Sequence, residues 1–412
     1  MLIYCNKIPN KKKTEQEQKK SNLSFELYNS ITLVKSEHWN SIVEYGSEFL
    51  QLSYLKVLEN SHPHNMNFYY AIIYELNKPV AIAYFQVIEF KPEKFQQLVG
   101  SVNLEKTCII TQYIKKYIAN HIIRNIDIRL LICGNSFISG EHGFAYLPQT
   151  NVTKLFDALA DIIYTINKDE KGNGKIAAIL AKDFHLNNLL ADELIEFDYH
   201  DFLAEPNMIV TNQWQTFDEY LNSMSKKYRN RAKTIIKKGE HLERRNFFVE
   251  DIYENSEVIE KLYDNVLLKA KFSLSSLSVA YFAEMKKLLK ADFIFTAYYY
   301  NNKIVGFKTY FVLKNIIEAH FIGLDYSLNK ELELYQNILY DYVKAMLFTK
   351  KNQLYLGRTA SEIKSTVGAE AQELKCYIRH RNPLSNRIIK PFVDYLKPSL
   401  WIPRSPFKTQ EE

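Results

Sequence analysis

An internal repeat is the feature that most constrains how this chain of 412 residues can fold. Two β-rich runs joined by a short polar turn occur at 69–88 and again at 293–313. The strings NKPVAIAYF and NKIVGFKTYF align almost residue for residue, with Ala81 opposite Gly306. Both segments show the alternation and the Asn-containing turns that are typical of β-hairpins. The chain is therefore expected to fold as two copies of one architecture.

The elements that follow each hairpin also repeat in order. A helix with an apolar stripe comes first, and a strand, a short helix and another strand follow it. The first copy has these elements at 152–167, 176–181, 187–194 and 196–204, and the second at 334–349, 354–357, 360–367 and 372–379. Such alternation predicts an α/β fold of two lobes in tandem, each a mixed sheet flanked by helices. The segment between the hairpin and the later elements is about 45 residues longer in the first copy than in the second, which predicts an insertion near 90–135.

Length and repeat together suggest where the domains begin and end. Residues 1–24 are expected to be a disordered leader, because they are polar and contain no apolar stretch of signal-peptide length. The N-terminal lobe is expected at 25–210, the C-terminal lobe at 211–398 and a tail at 399–412. The C-terminal lobe is the expected location of the chemistry.

Composition excludes several classes of protein. Apolar residues make up 47% and charged residues 24%, which are ordinary globular values. The net charge of +6 is mild and does not by itself imply a nucleic-acid partner, and no DNA partner is expected. The four cysteines form no CxxC pair, so neither a metal site nor a disulfide framework is expected. No uncharged apolar window has the ~18 residues that a membrane-spanning helix needs. The expected location is the cytoplasm, with peripheral contact to the inner face of the membrane as an option.

Three segments carry a resemblance to a known family. They are SMSKKYRNRAKTIIKKG at 223–239, YLGRTASEIKSTVGA at 355–369 and CGNSFISGEHGF at 133–144. Together with the element order, they resemble the GNAT superfamily of N-acyltransferases, in the doubled form of the Fem-type and peptidoglycan-biosynthesis branch. The resemblance covers most of residues 25–382 and implies tandem acyl-CoA N-acyltransferase lobes.

The resemblance also implies an activity. It implies an enzyme that moves an acyl group from a thioester donor to the amine of an amino acid or aminolipid of the cell envelope. Acyl-CoA or an acyl carrier protein would be a co-substrate, and no cofactor would be bound permanently. One family element, the Q/R-x-x-G-x-G/A phosphate loop before the long helix, is missing from residues 323–335. Two alternatives therefore stay open: a Fem-type aminoacyl-tRNA-dependent transferase acting on a peptidoglycan precursor, and a non-catalytic scaffold that binds lipid or a carrier protein.

The strand at 316–325 contains the candidate catalytic residues. Acyl transfer to an amine needs a base that removes the ammonium proton, and alternation places Glu318 and His320 on one face of the strand. His320 has an intrinsic pKa suited to a base, although a histidine packed in the core is equally consistent with the pattern. Asp325 and Tyr335 lie at the strand exit and the helix start, where they are candidates for catalysis or for helix capping.

Two turns contain the candidate substrate-binding residues. The turn after the strand at 354–357 carries polar side chains that could hold a carboxylate, sulfonate or phosphate, although Thr359 and Glu362 could equally form a capping box. The glycine-rich turn at 134–143 is a candidate loop for backbone approach to a ligand, or an ordinary connection. The candidates are Arg358, Thr359, Ser361, Glu362 and Lys364 in the first of these turns, and Asn135, Glu141 and His142 in the second.

Residues 226–238 form a predicted basic helix without an acid. Its cations are either a solvated face or a patch for anionic lipid headgroups, an acidic carrier protein or tRNA phosphates. These cations are Lys226, Lys227, Arg229, Arg231, Lys233, Lys237 and Lys238. Trp401 in the C-terminal tail could rest on the same interface, or the tail could be a packed strap.

Overall fold

A computed structural model describes residues 23–61, 65–90, 128–173, 175–188, 190–269, 276–387 and 401–408. These residues form two compact units. The first unit holds the described residues up to 59, 65–204 and 375–387, and the second holds 60–61, 205–269, 276–374 and 401–408. The predicted leader and most of the predicted insertion lie outside the described residues.

The first unit is a mixed sheet with helices. Its strands are β1 (Leu23–Tyr28), β2 (Met66–Glu75), β3 (Lys78–Phe90), β4 (Ile128–Cys133), β5 (Phe144–Tyr146), β6 (Ile176–His185), β7 (His200–Leu203) and β15 (Leu374–His380). Its helices are α1 (Ser36–Val43), α2 (Leu52–Asn60), α3 (Val152–Asp169), α4 (Leu190–Glu196) and α13 (Pro383–Arg387). The apolar stripe of α3 is buried in the core of this unit, as its periodicity predicts.

The second unit repeats this plan. Its strands are β8 (Asn207–Thr211), β9 (Glu243–Asn246), β10 (Phe293–Tyr300), β11 (Lys303–Val312), β12 (Ile316–Leu324), β13 (Gln353–Tyr355) and β14 (Glu370–Gln372). Its helices are α5 (Phe217–Ser223), α6 (Lys226–Lys238), α7 (Val249–Glu254), α8 (Ser256–Lys269), α9 (Val279–Leu289), α10 (Tyr326–Leu332), α11 (Leu334–Phe348) and α12 (Ser361–Ser365).

The strand orders of the two sheets correspond. The first sheet runs β1-β2-β3-β4-β6-β15-β7, and the second, read in the matching direction, runs β9-β10-β11-β12-β13-β8-β14. The first sheet contains the predicted antiparallel hairpin β2–β3 and the parallel pair β4–β6. The second sheet contains the predicted antiparallel hairpin β10–β11 and the parallel pair β12–β13. The prediction of a repeated α/β architecture with mixed sheets is confirmed.

One strand of each sheet comes from the other half of the sequence. β15 pairs with β7 in the first sheet, from Lys375 opposite Leu203 to Ile378 opposite His200. β8 occupies the equivalent position in the second sheet, where it pairs with β13 and β14. The sequence predicts residues 372–379 in the C-terminal lobe, but β15 lies in the first sheet. Alternation identifies a segment as a strand, but it does not say which sheet the strand joins.

Gly323 near the end of β12 has no room for a side chain. A Cβ atom there would lie 2.1 Å from Cε1 of Phe307 and 2.9 Å from Cβ of Leu262. Phe307 is fully buried and stacks on Phe295, with ring centroids 4.9 Å apart, so it cannot move aside cheaply. We expect Gly323→Ala to destabilise the protein by about 1–3 kcal/mol, the usual cost of overpacking.

Urea unfolding measures this effect. Gly172→Ala is the matched control, because a Cβ atom at Gly172 would meet no atom within 4 Å. Its free energy of unfolding should stay within about 0.5 kcal/mol of the parent, as for most surface substitutions. Equal unfolding midpoints for the two variants would contradict the packing around Gly323.

Candidate functional site

The parallel strands β12 and β13 separate soon after they begin to pair. They pair at three positions, Ile316 with Gln353, Ile317 with Leu354 and Glu318 with Tyr355, where β13 ends. β12 continues for six more residues to Leu324, and no described strand pairs with it there on the β13 side.

The equivalent strands of the first unit behave differently. β4 pairs with β6 up to its last residue, Cys133, which lies opposite Ala181. A strand edge of β12 beyond Glu318 is therefore left without a partner strand in the second unit, among the residues that the structure describes. Such an edge offers backbone N–H and C=O groups to an extended ligand.

Glu318 occupies the last paired position before the strands separate. Its side chain is buried, with 3% of the residue exposed. Burial raises the pKa of this carboxyl well above its usual range, and the Lys364 ammonium opposes that rise. The Glu318 carboxyl also raises the pKa of the neighbouring Tyr355 hydroxyl, although burial is the larger cause there.

Lys364 of α12 is buried beside this carboxylate. Its Nζ donates hydrogen bonds to the carbonyl oxygens of Gly357 (3.1 Å) and Arg358 (2.5 Å). Burial lowers the pKa of the Lys364 ammonium to about 7, while Glu205 and Glu318 act in the opposite direction. Lys364 is therefore hydrogen-bonded to the turn that follows β13 and lies close enough to Glu318 for the two charges to influence each other.

That turn has three residues in the left-handed backbone region. The φ angles are +70° at Gly357, +66° at Thr359 and +49° at Ala360. Ala360 is the N-cap residue of α12 and provides no side-chain cap, so the capping box of Thr359 and Glu362 does not form. Non-glycine residues rarely adopt this conformation, and strain of this kind is often found at functional sites.

The remaining candidates of the turn have separate environments. Arg358 is half-buried in the turn itself. Ser361 is buried at the first position of α12, and the Glu362 carboxylate accepts hydrogen bonds from Nε (3.1 Å) and Nη2 of Arg404. The structure thus brings Glu318 and Lys364 together, while Glu362 lies in an ion pair with Arg404.

His320 lies among aromatic rings. Its ring stacks on Tyr281, whose hydroxyl is 3.2 Å from Nε2, and lies 4.9 Å from the Phe311 ring and 4.3 Å from the Phe321 ring. Nδ1 is buried and has no hydrogen-bond partner among the described residues. Burial lowers the pKa of His320 to about 3. The imidazole is therefore neutral at physiological pH and a weak proton acceptor.

The segment between β12 and the long helix is a short helix of its own. The Asp325 carboxylate caps α10 by accepting hydrogen bonds from the backbone N–H (2.9 Å) and hydroxyl (2.6 Å) of Ser327. Glu333, with φ of +47°, separates α10 from α11. Tyr335 at the start of α11 is half-buried, and burial raises its hydroxyl pKa. The missing phosphate loop is thus replaced by a capped helical turn.

Comparisons with known proteins bear on the fold. No family model and no curated protein matches the sequence. A solved tandem GNAT protein from the clavulanic acid biosynthesis pathway superposes with a TM-score of 0.52 over 88% of this chain and 99% of its own, at 7% identity. The chain has the tandem GNAT fold. At this identity the similarity concerns the fold alone.

Two further solved structures are similar over most of their length. FemX covers 85% of this chain and 96% of its own, with 10% identity and a TM-score of 0.49. L-PGS from Bacillus licheniformis covers 84% of this chain and 95% of its own, with 10% identity and a TM-score of 0.43. We call the two compact units the first and second GNAT lobes, after the fold that the chain shares with the tandem GNAT protein.

The glycine-rich turn of the first GNAT lobe is held by its own side chains. The Asn135 amide donates to the Tyr54 hydroxyl (2.9 Å), and Glu141 accepts from the His185 backbone N–H (2.6 Å). Nδ1 of His142 is 2.6 Å from Oγ of Ser47. These contacts lie within the first lobe and hold its loop in place. We infer a structural role for these candidates from these contacts.

The basic helix α6 does not present its seven cations on one face. Successive helical residues are about 100° apart, so these side chains fall into two groups that together span slightly more than half of the circumference. Lys227 and Arg231, four residues apart, line a groove, whereas Lys233 and Lys237 point about 120° away. No described helix is long and apolar enough to cross a membrane.

Arg404 lies in the C-terminal segment 401–408 and is not among the residues predicted from the sequence. That segment is a packed strap: Phe407 contacts the rings of Trp214 and Tyr220, and Trp401 packs against the core of the second lobe. The only sequence signal was a basic residue between two prolines, Pro403 and Pro406.

Proposed function

We propose that the second GNAT lobe transfers an acyl group from a thioester donor to an amine, at the point where β12 and β13 separate. The observation that carries the proposal is the buried carboxyl of Glu318 at the last paired position, beside the buried ammonium of Lys364. A carboxyl whose pKa lies above its usual range is, once ionised, a stronger base than an ordinary carboxylate and is suited to remove a proton from an ammonium group.

The proposed reaction begins with a proton transfer. Glu318 removes a proton from the acceptor ammonium, and the freed amine attacks the thioester carbonyl carbon. Backbone N–H groups on the edge of β12 beyond Glu318 would stabilise the oxyanion that forms. The nitrogen of the tetrahedral intermediate then loses its second proton, the C–S bond breaks, and the amide remains on the acceptor. The departing thiolate takes up that proton and leaves as the thiol, and Glu318 releases its own proton to solvent. Lys364 acts as a positioning residue, because it holds the Gly357–Arg358 turn and opposes the rise in the Glu318 pKa.

Glu318 is a better candidate for the base than His320. An imidazole with a pKa of about 3 has little affinity for a proton at neutral pH. We expect His320→Phe to keep its transfer rate within about threefold of the parent, far less than the ~10²-fold that loss of a general base costs. Steady-state rates at pH 7 measure this, and a loss of a hundredfold or more in a folded variant would return the base role to His320.

The donor is proposed to be acyl-CoA or an acyl carrier protein, and the acceptor the amine of an amino acid or aminolipid of the cell envelope. The Asp325 carboxylate occupies the N-terminus of α10, where the missing phosphate loop would have offered N–H groups. This arrangement favours a donor whose phosphates are bound elsewhere, and it keeps an aminoacyl-tRNA donor as the second candidate.

Release of free thiol tests the proposed function. The purified chain is supplied with acyl-CoA or acyl carrier protein of several chain lengths, with and without an amine acceptor. Amine-dependent thiol release supports the proposal. Transfer from aminoacyl-tRNA without thiol release would support the Fem-type alternative. The absence of both reactions, with retained lipid or carrier binding, would leave the non-catalytic scaffold.

A further inference from the structure

A groove of about 490 Å³ lies in the second lobe, and neither Glu318 nor Lys364 lines it. The first half of α6, the helix α12 and the C-terminal strap form its walls. The described residues that line it are Lys227, Tyr228, Arg231, Ala360, Glu362, Ile363, Thr366 and Arg404. Its volume is within the range of ligand pockets, about 300–1,000 Å³.

The walls of the groove are held in place. The backbone N–H of Arg404 donates to Oγ of Ser365 (3.0 Å), and the N–H of Ser225, the N-cap residue of α6, donates to the Pro406 carbonyl (2.9 Å). Phe407 packs on Gly368, where a Cβ atom would lie 2.3 Å from the Phe407 ring. A groove built in this way does not need to be ordered by its ligand, which lowers the entropic cost of binding.

The charges of the groove select an anion. Among its described lining residues, three are cationic and Glu362 is the acid. Glu362 is engaged by Nε and Nη2 of Arg404, an arrangement that uses one edge of the guanidinium group. The planar guanidinium has five N–H donors, so the other edge can still donate to a second acceptor. Lys227 and Arg231 add two cations from neighbouring turns of α6.

We propose that this groove binds a phosphate group, as carried by an anionic phospholipid headgroup or by a free phosphate compound. Arginine and lysine side chains converging on one concave site are the typical donors to phosphate oxygens. Ile363 and Ile402, beside the groove and in the strap, are 41% and 61% exposed, which suits contact with the acyl region of a lipid. The proposal does not depend on the acyl-transfer reaction.

Paired charge substitutions on one helix test the proposal. The groove variant is Lys227→Gln with Arg231→Gln, and the control is Lys233→Gln with Lys237→Gln. Both pairs have the same spacing and the same charge change, but the control pair does not line the groove. Binding of the full-length protein to phosphatidylglycerol vesicles and to phosphatidylcholine vesicles is measured by co-sedimentation. Binding of inorganic pyrophosphate is measured by titration calorimetry.

The groove variant should bind its anionic probe about thirtyfold more weakly, whereas the control stays within about threefold of the parent. Loss of vesicle binding alone identifies a lipid headgroup, and loss of pyrophosphate binding alone identifies a free phosphate compound. Equal losses in both variants, or binding of neither probe by the parent, would overturn the proposal. Glu318→Gln should keep the binding unchanged, so failure of the catalytic proposal is distinguishable from failure of this one.

Discussion

Glu318→Gln should lower kcat for acylation of the amine by about 10²–10⁴-fold, the usual contribution of a general base. The glutamine side chain has nearly the same shape as the protonated carboxyl, so binding of the donor should change little. The loss should therefore appear in kcat more than in KM. Initial rates of thiol release at saturating donor and amine measure it.

Stability provides the control for this variant. The pKa of Glu318 is higher in the folded than in the unfolded state. The contribution of this carboxyl to folding stability is therefore fully present below the unfolded-state pKa, and it is lost as the pH rises through the folded-state pKa. The glutamine side chain of the variant cannot ionise, and the stability of the variant relative to the parent should therefore rise as the pH increases above the unfolded-state pKa of Glu318. A variant that loses activity because it unfolds, or one that is folded and fully active, would contradict the role of Glu318 as base.

Lys364→Met should shift the acidic limb of the pH–rate profile to higher pH by about one to three units. A neighbouring positive charge lowers a carboxyl pKa by about that amount, and the variant loses this charge. The Lys364 ammonium is the charge that opposes the raised pKa of Glu318. At pH 7 the variant should be about tenfold or more slower, and part of the rate should return at higher pH.

A structural role alone would not produce this shift. Loss of the hydrogen bonds to the carbonyls of Gly357 and Arg358 would lower activity at every pH. Lys303→Met, at the exposed start of β11, is the control for removal of a lysine charge elsewhere. An unchanged pH profile for Lys364→Met would show that Lys364 does not influence the pKa of Glu318.

The repeated fold was predictable because its strongest elements have regular patterns. The hairpins carry alternation and turn residues, and α3 and α11 carry apolar residues at helical spacing, so their boundaries were predicted to within a few residues. The exchange of β8 and β15 between sheets was not predictable, because pairing partners far apart in the sequence leave no local pattern. The short helix α10 was missed, since its seven residues are too few for periodicity to show.

The candidate site was predictable in residue type but not in role. Alternation selected Glu318 and His320 together, and the intrinsic pKa favoured His320. Their enclosure in the folded chain reverses that preference, because burial lowers the pKa of an imidazole and raises that of a carboxyl. Lys364 was selected as a turn residue, but its approach to Glu318 depends on how α12 packs, which no local pattern encodes.

A crystal structure with a thioether analogue of the donor tests the central claim most directly, since the analogue resists transfer. We expect its acyl chain along the edge of β12 that follows Glu318, with the carbonyl within about 3 Å of a backbone N–H group, the distance of a hydrogen bond. An analogue bound in the first lobe, or one whose carbonyl is remote from β12 and Glu318, would contradict the account.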